Sequence, residues 1–397
     1  MASIQKRGPN SFLLVVEAGY IKGKRNKRTK TIRVEDPALL KTTKKLKDFL
    51  NEELLKFKME VEAGEYIAPE KMKFGEFVKE WEVKYAKNEL SPGTLDNYKL
   101  NLQNHILPVF EEKRLDQVKP IHVINFLNQI ERKDGKNGDI SVGTKQYIYR
   151  ALRNVFQRAV DWKIIKSNPV AEVKKPRDNK DHEANVYSEK EVQQLFTLVQ
   201  YELFHWRIFV TLALAAGLRR GELLGLEWPN IDLEKGTINI KQVIVKGENG
   251  RPLIKGPKSK KSKRFVSIPP SIVEELKKFY TYWKKEKLRS GDRRIEKEHE
   301  WVFCNEDGTH FFPSTPTTWW RRFIKRSEVR YIRLHDLRHT SATLLINQGV
   351  HAKIISERLG HADIRITMDT YGHALQTADK EAANKLDNFF SPQNKSI

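Results

Sequence analysis

Along this chain the apolar positions switch between alternation and a helical repeat, and the switches mark out successive regions. In the first, Ser11-Phe12-Leu13-Leu14-Val15-Val16 and Thr29-Lys30-Thr31-Ile32-Arg33-Val34 read as strands, joined by a Gly- and Lys-rich turn around Gly23. From about Leu39 to Val61 the residues Leu46, Phe49, Leu50, Leu54, Phe57 and Val61 recur at helical spacing, and Gly64 with Pro69 closes the segment. A hairpin or three-stranded sheet backed by one helix is expected here. A disordered basic tail would leave both the apolar strand and the periodic helix unexplained.

Residues 70–176 are helical by pattern. Phe74, Phe77, Val78 and Trp81 form one apolar face, Ser91-Pro92-Gly93-Thr94 opens a helix with Tyr98 and Leu102, and Pro120 leads into Val123, Ile124 and Leu127. After a loop around Gly135 to Gly143, the face Tyr147, Ala151, Leu152, Val155, Phe156 and Ala159 predicts a last helix, giving a four-helix bundle. The stretch Lys174 to Asp181 is charged and aperiodic and reads as a linker. Beyond it helices and strands mix. Ser188-Glu189-Lys190-Glu191 has the form of a capping box, in which hydroxyl and carboxylate satisfy each other's exposed amides. Thr237-Ile238-Asn239-Ile240 and Arg264 to Ile268 alternate like strands, with a basic run from Lys255 to Arg264 between them, so a small antiparallel sheet is expected among helices. In the tail, Ala382, Leu386, Phe389 and Phe390 share a helical face that should bury itself against its own domain or a neighbouring subunit. The expected fold class is mainly α with small β-sheets, a multidomain α+β protein divided at 1–67, 70–176 and 177–397.

Composition sharpens this picture. A chain of 397 residues exceeds one ordinary core, and a formal net charge of +22 points to a polyanionic partner, nucleic acid before membrane. Positive charge concentrates in residues 1–34, with nine Lys or Arg (among them Lys22, Lys24, Arg25, Lys27, Arg28 and Lys30) against the single acid Glu17. No apolar run approaches a bilayer span and the first residues lack a secretory pattern, so the chain is expected to stay where it is made. The single cysteine, Cys304, leaves no disulfide framework and no cysteine-based zinc finger, which fits a reducing compartment.

Candidate chemistry lies in the last region. His335 and Arg338 in Leu334-His335-Asp336-Leu337-Arg338-His339 are three apart, so on a helix one phosphate oxygen would meet both. Alone, the pair reads first as a solvated helix start. The same letters resemble a zinc-protease helix, but that chemistry wants Glu rather than Asp as base and a third ligand, and Arg338 would sit beside the metal. In Gly217-Leu218-Arg219-Arg220-Gly221-Glu222 an apolar run stops at a glycine before two arginines and a carboxylate. Arg219 emerging from a buried turn suits bidentate phosphate binding, with Glu222 orienting it, although the segment by itself is equally an ordinary buried Arg–Glu pair. Leu359-Gly360-His361 follows and, ten residues after His361, Tyr371. A phenol attacks only where cations stabilise its charge or a base takes its proton, and two arginines with histidines supply both.

Taken together these boxes resemble the tyrosine recombinases, the phage-integrase family, over residues 187 to about 390, and more loosely the helical and N-terminal domains of integrases from conjugative transposons and prophages. The resemblance implies that Arg219 and Arg338 clamp the scissile phosphate, that His335 and His361 assist with hydrogen bonds and protons, that Glu222 supports the site and that Tyr371 is the nucleophile. The family's remaining residue is a lysine on a turn between two strands, for which Lys258 is the best match and Lys260 the second choice, while Lys255, Lys260, Lys261, Lys263 and Arg264 equally suit DNA phosphates. Tyrosine attack would leave a 3′-phosphotyrosyl bond, with Lys258 as acid and His335 as base, and the retained phosphoester energy would permit rejoining through a four-way junction without ATP, metal or other cofactor. The resemblance further implies an arm-site-binding N-terminal domain, a SAM-like core-binding domain and a catalytic domain. It implies double-stranded DNA with core and arm attachment sites, a homotetramer on DNA, excisionase and DNA-bending accessory partners, and a cytoplasmic, nucleoid-associated bacterial protein. Two other classes use similar features: a type IB topoisomerase, which relaxes DNA without a specific site, and a non-catalytic DNA-binding regulator.

Overall fold

The computed structural model describes residues 2–21, 24–62, 72–133, 135, 138–177, 185–257, 262–296, 298–361, 363–365 and 367–368. Contacts divide the chain into two compact units, residues 1–179 and 180–397. The chain is mainly helical with small antiparallel sheets, the expected fold class.

In the first unit, β1 (Ala2–Lys6), β2 (Ser11–Ile21) and β3 (Lys24–Arg33) form an antiparallel sheet with β2 central. The register places Leu14 opposite both Ile4 and Lys30. Alternation buries Phe12, Leu14 and Val16 on one face. That face meets helix α2 (Thr43–Glu62), which follows the short α1 (Pro37–Lys41), through Leu50 and Phe57 with Leu46, Phe49, Leu54 and Val61 beside them. The periodic residues of the sequence therefore back the sheet. The expected turn at Gly23 and the closure at Gly64 and Pro69 lie outside the described residues.

Four helical stretches with a separate apolar cluster follow. The first runs from α3 (Phe74–Trp81) through a π-helical turn into α4 (Lys87–Glu89), and the second from α5 (Pro92–Asn101) through another π turn into α6 (Leu107–Phe110). The others are α7 (Pro120–Gln129) and α8 (Val142–Asp161). Phe74 and Phe156 are fully buried with ring centroids 5.3 Å apart, and the indole N–H of Trp81 donates to Asn154 Oδ1 at 3.0 Å. The presumed linker begins later than its composition suggests. Tyr149 Oη donates to the carbonyls of Val170 and Val173, and Gln146 Nε2 to that of Pro176, so the chain up to Pro176 is fastened to α8.

In the second unit Ser188 caps α9 (Glu189–Val199) in the expected reciprocal way, accepting from the Glu191 amide at 3.3 Å while the Glu191 carboxylate accepts from the Ser188 amide at 2.7 Å. Helix α10 (Phe204–Ala215) is the apolar axis, buried from Ile208 through Leu214. After α11 (Arg220–Leu224), strands β4 (Ile231–Asp232), β5 (Thr237–Ile240) and β8 (Arg264–Ser267) form one antiparallel sheet. Between β5 and β8 the chain makes a second hairpin, β6 (Val243–Lys246) with β7 (Pro252–Lys255). Helices α12 (Pro270–Ser290), α13 (Thr315–Ser327), α14 (Asp336–Asn347) and α15 (Ala352–Leu359) complete the unit. The tail helix expected at Ala382 to Phe390 lies outside the described residues. Among the described residues no helix is long and apolar enough to cross a membrane.

Deleting a fully buried ring leaves a cavity that neighbours fill only in part. Phe156→Ala is expected to destabilise the bundle by about 3–5 kcal/mol, read as a joint loss of amide-exchange protection in peptides from 74–81 and 142–161.

Candidate active site

Two helix C-termini meet in the second unit, and arginines from elsewhere in the chain bind their leftover carbonyls. A helix ends with carbonyls that no amide in the helix reaches, and its dipole makes that end attractive to cations. At the end of α10, Ala215 O accepts from Arg358 Nη2 at 2.5 Å and Gly217 O from Arg338 Nη1 at 2.6 Å. At the end of α15, Leu359 O accepts from Arg338 Nη2 at 2.5 Å, Gly360 O from Arg219 Nη2 at 3.0 Å, and Arg358 O from Arg264 Nε at 2.6 Å. Arg338 thus reaches both ends by itself and is almost wholly buried. Gly217 and Gly360 take φ of +60° and +66°, as a left-handed helix termination requires. A Cβ at Gly217 would also stand 2.7 Å from Leu359 Cδ2, so a side chain there would have to displace the buried leucine between the two ends.

Arg219 precedes α11 and its amide donates to Glu222 Oε2 at 2.9 Å, while Nη1 donates to Oε1 at 2.8 Å. Glu222 is 2% exposed and also takes both terminal nitrogens of Arg264, each at 3.0 Å. Burial pushes its carboxyl pKa up, but the hydrogen bonds and charge of Arg264, then the amide and charge of Arg219, outweigh burial and hold it below the usual range. The carboxylate therefore fixes Arg219, as the spacing suggested. Its larger partner is Arg264, which the sequence reading had grouped with residues touching DNA.

His335 caps α14 rather than lying within it, one residue before a buried Asp336 that binds Arg333. Asp336, the acid of the zinc-type reading, is thus turned to a guanidinium. Arg338 points inward from the first turn, whereas the His335 ring stays on the surface, edge-on to His339 at 5.2 Å. His335 and Arg338 stay neighbours, as their spacing leads one to expect, but the arginine is buried and the histidine exposed. Crowding away from water, then His339, Arg338 and Arg219, lowers the His335 pKa to about 4. His361 follows Gly360, its Nδ1 2.8 Å from the hydroxyl oxygen of the buried Thr367. Burial first, then Arg338 and Arg219, lowers its pKa to about 4. Both imidazoles are neutral at neutral pH.

Arg219, Arg338, His335, His361 and Glu222 are thus brought together. Tyr371, Lys258, Lys260 and Lys261 lie outside the described residues, as does Lys22, and the side chains of Lys24 and Arg25 do too. In the first unit Lys27 is exposed near Glu17, and Lys30 Nζ lies 5.8 Å from the Phe57 ring centroid. Sequence reasoning missed Arg264 and Arg358. Their only signal was an arginine opening an alternating strand and another closing an amphipathic helix.

Residues 185–377 match the phage integrase family, and residues 73–130 match the phage integrase N-terminal SAM-like domain. The chain is 30% identical over 302 residues to the ICEBs1 integrase of Bacillus subtilis, covering 75% of this chain and 78% of that protein. It is 29% identical over 331 residues to a tyrosine recombinase XerC-like protein of Caldanaerobacter subterraneus subsp. tengcongensis, covering 80% and 83% respectively. Among solved structures it is similar to the Tn1549 transposon integrase in complex with a circular intermediate DNA (TM-score 0.65, 16% identity, 79% of this chain and 99% of that one). It is also similar to a lambda integrase dimer bound to a COC′ core site (TM-score 0.56, 15% identity, 93% and 94%).

The depressed histidines set a pH dependence. The unfolded chain takes up protons near the ordinary histidine value of 6.5 while folded His335 and His361 wait until about 4, so acidification across that window favours unfolding. His361→Gln keeps a partner for Thr367 and is expected to flatten the slope of unfolding free energy against pH there by about one proton. Denaturant titrations at several pH values measure it, and an unchanged slope would contradict a lowered His361 pKa.

Proposed function

Since the chain belongs to the phage integrase family, and is accordingly a tyrosine-type site-specific DNA recombinase, we propose that it integrates and excises a mobile DNA element through a covalent Tyr371–DNA intermediate. The observation that carries this reading is the convergence of Arg219 and Arg338 on two helix ends beside two neutral imidazoles. Two permanent cations held by fixed acceptors are arranged before substrate arrives, and such preorganised charge stabilises a pentacoordinate phosphorus, whose nonbridging oxygens gain charge, more than the ground state. Arg219 and Arg338 clamp the phosphate. His361 donates a hydrogen bond to it and His335 takes the phenol proton as Tyr371 Oη attacks. The bond to the 5′ oxygen breaks, Lys258 (with Lys260 the second choice) protonates that oxygen, and the DNA 3′ end stays bonded to Tyr371. Attack by a 5′ hydroxyl of another strand reverses these steps.

The domain roles belong to the same proposal. Residues 1–67, with their excess of positive charge, bind arm sites, residues 70–176 bind the core site and residues 177–397 catalyse. The Bacillus subtilis relative is an integrase by name, and that likeness supports integration and excision over the relaxation of a type IB topoisomerase. Two duplexes cut in turn call for four subunits, with the Ala382 to Phe390 segment as the contact between them. Excisionase and DNA-bending proteins set direction, and the protein acts in the bacterial cytoplasm at the nucleoid.

A nicked duplex copied from the junctions of the DNA that carries this gene provides the test. Wild-type protein is expected to form a detergent-resistant adduct in the presence of a chelator, and Tyr371→Phe to abolish the adduct while binding persists. Arg219→Ala and Arg338→Ala are each expected to slow adduct formation by about a hundredfold or more, with a smaller loss of affinity, because many other basic groups hold the phosphates. An adduct formed by Tyr371→Phe would refute the nucleophile.

A further inference from the structure

Arg264 opens β8, and its side chain is 7% exposed, which leaves it no surface to offer a DNA phosphate. Its guanidinium is committed inside the protein. Both terminal nitrogens reach Glu222, Nε reaches Arg358 O, and Nη1 lies 3.3 Å from Ser262 O. None of these partners carries chemistry in the proposed reaction, yet each adjoins a residue that does. Glu222 holds the amide and Nη1 of Arg219. Arg358 O opens the turn whose next two carbonyls receive Arg338 and Arg219, and whose next residue is His361. The turn even closes on the guanidinium: a Cβ at Gly360 would stand 3.0 Å from Arg264 Nη1.

We propose that Arg264 is a positioning residue for strand cleavage, its planar fork fixing Glu222 and through it Arg219, and its Nε fixing the turn that delivers His361. The inference rests on the proposed roles of Arg219, Arg338 and His361. A lysine keeps the charge but loses the fork, so one interaction survives where the arginine makes several. A glutamine loses both and leaves a buried carboxylate facing Arg219 alone. That carboxyl then protonates at higher pH, because burial favours its neutral form and fewer partners oppose it. Once neutral, it releases Arg219.

The test uses the full-length protein and the nicked junction duplex, comparing wild type with Arg264→Lys, Arg264→Gln and the double variant Glu222→Gln/Arg264→Gln. Affinity, melting temperature and the single-turnover rate of adduct formation against pH are measured for each. Arg264→Gln is expected to slow adduct formation by about a hundredfold, the effect of an ångström of misplacement. Its affinity should stay near wild type, and the acid limb of its rate profile should move to higher pH. Arg264→Lys should recover part of the rate. The double variant has no carboxylate to titrate, so it should be slow but lack the displaced limb. Rates that fall only in step with melting temperature, with an unmoved profile and lysine no better than glutamine, would overturn the proposal, as would wild-type rates in any folded variant. If every variant fails to fold, Arg264 is a structural residue and the proposal also falls. Absence of any adduct with wild-type protein would instead sink the proposed reaction itself.

Discussion

A carboxylate almost out of reach of water organises the second unit of this protein. An isolated buried carboxylate would protonate rather than stay charged, since burial in protein costs an unpaired ion several kcal/mol. Glu222 remains an anion because it accepts from two guanidiniums and an amide at once. The requirement runs the other way as well. Arg219 stands just before α11, which carries Glu222, and Arg264 opens β8, so a charge that must be neutralised by both leaves those elements one mutual placement. Removing either arginine would strand the carboxylate, so the geometry is enforced by the penalty of losing it rather than by the strength of any one bond.

The second constraint is the pairing of arginines with helix C-termini. The last carbonyls of α10 and α15 have no amide partners of their own, and the structure satisfies them with Arg358, Arg338, Arg219 and Arg264. Carbonyls are neutral acceptors, so they orient a guanidinium without cancelling its charge as a carboxylate would. Arg338 is bound to two carbonyls across the two ends, in a place from which most water is excluded. Arg219 is divided between Glu222 and Gly360 O. The arrangement stores positive potential on rigid supports, and in the proposed reaction a phosphate would meet cations whose orientation is already fixed.

How much of this was legible follows from the distance between partners along the chain. The Ser188 and Glu191 cap, the apolar faces of α2 and α8, and the capping carboxylate of Glu222 are local, so spacing alone revealed them. Arg264 was misread because its partners are 42 and 94 residues away and its neighbours in sequence are lysines. A basic run looks the same whether it faces solvent or hides one buried member. The β6–β7 hairpin escaped because Gly247 and Pro252 interrupt its short alternation. His335 was placed within a helix face because a residue just before a helix takes nearly the same backbone angles as one inside it, here φ −69° and ψ −24°. The motif residues themselves were readable, but their convergence was not. It depends on two glycine turns and a core, which no local pattern encodes.

The neutral histidines complete the electrostatic argument. Guanidiniums do not titrate in the ordinary range, and imidazoles held near pKa 4 add no charge around neutral pH, so the potential of the site is set by its arginines and Glu222. A neutral imidazole has one donor and one acceptor nitrogen, and the partner of one dictates the role of the other. In His361, Nδ1 faces the Thr367 hydroxyl. For Nε2 to donate to a phosphate oxygen, Nδ1 must accept, and the threonine hydroxyl must therefore be the donor. Thr367 stands four residues before Tyr371. The Thr367 hydroxyl thus selects the tautomer of the imidazole, and in the proposed reaction this contact is what leaves Nε2 to donate to the phosphate.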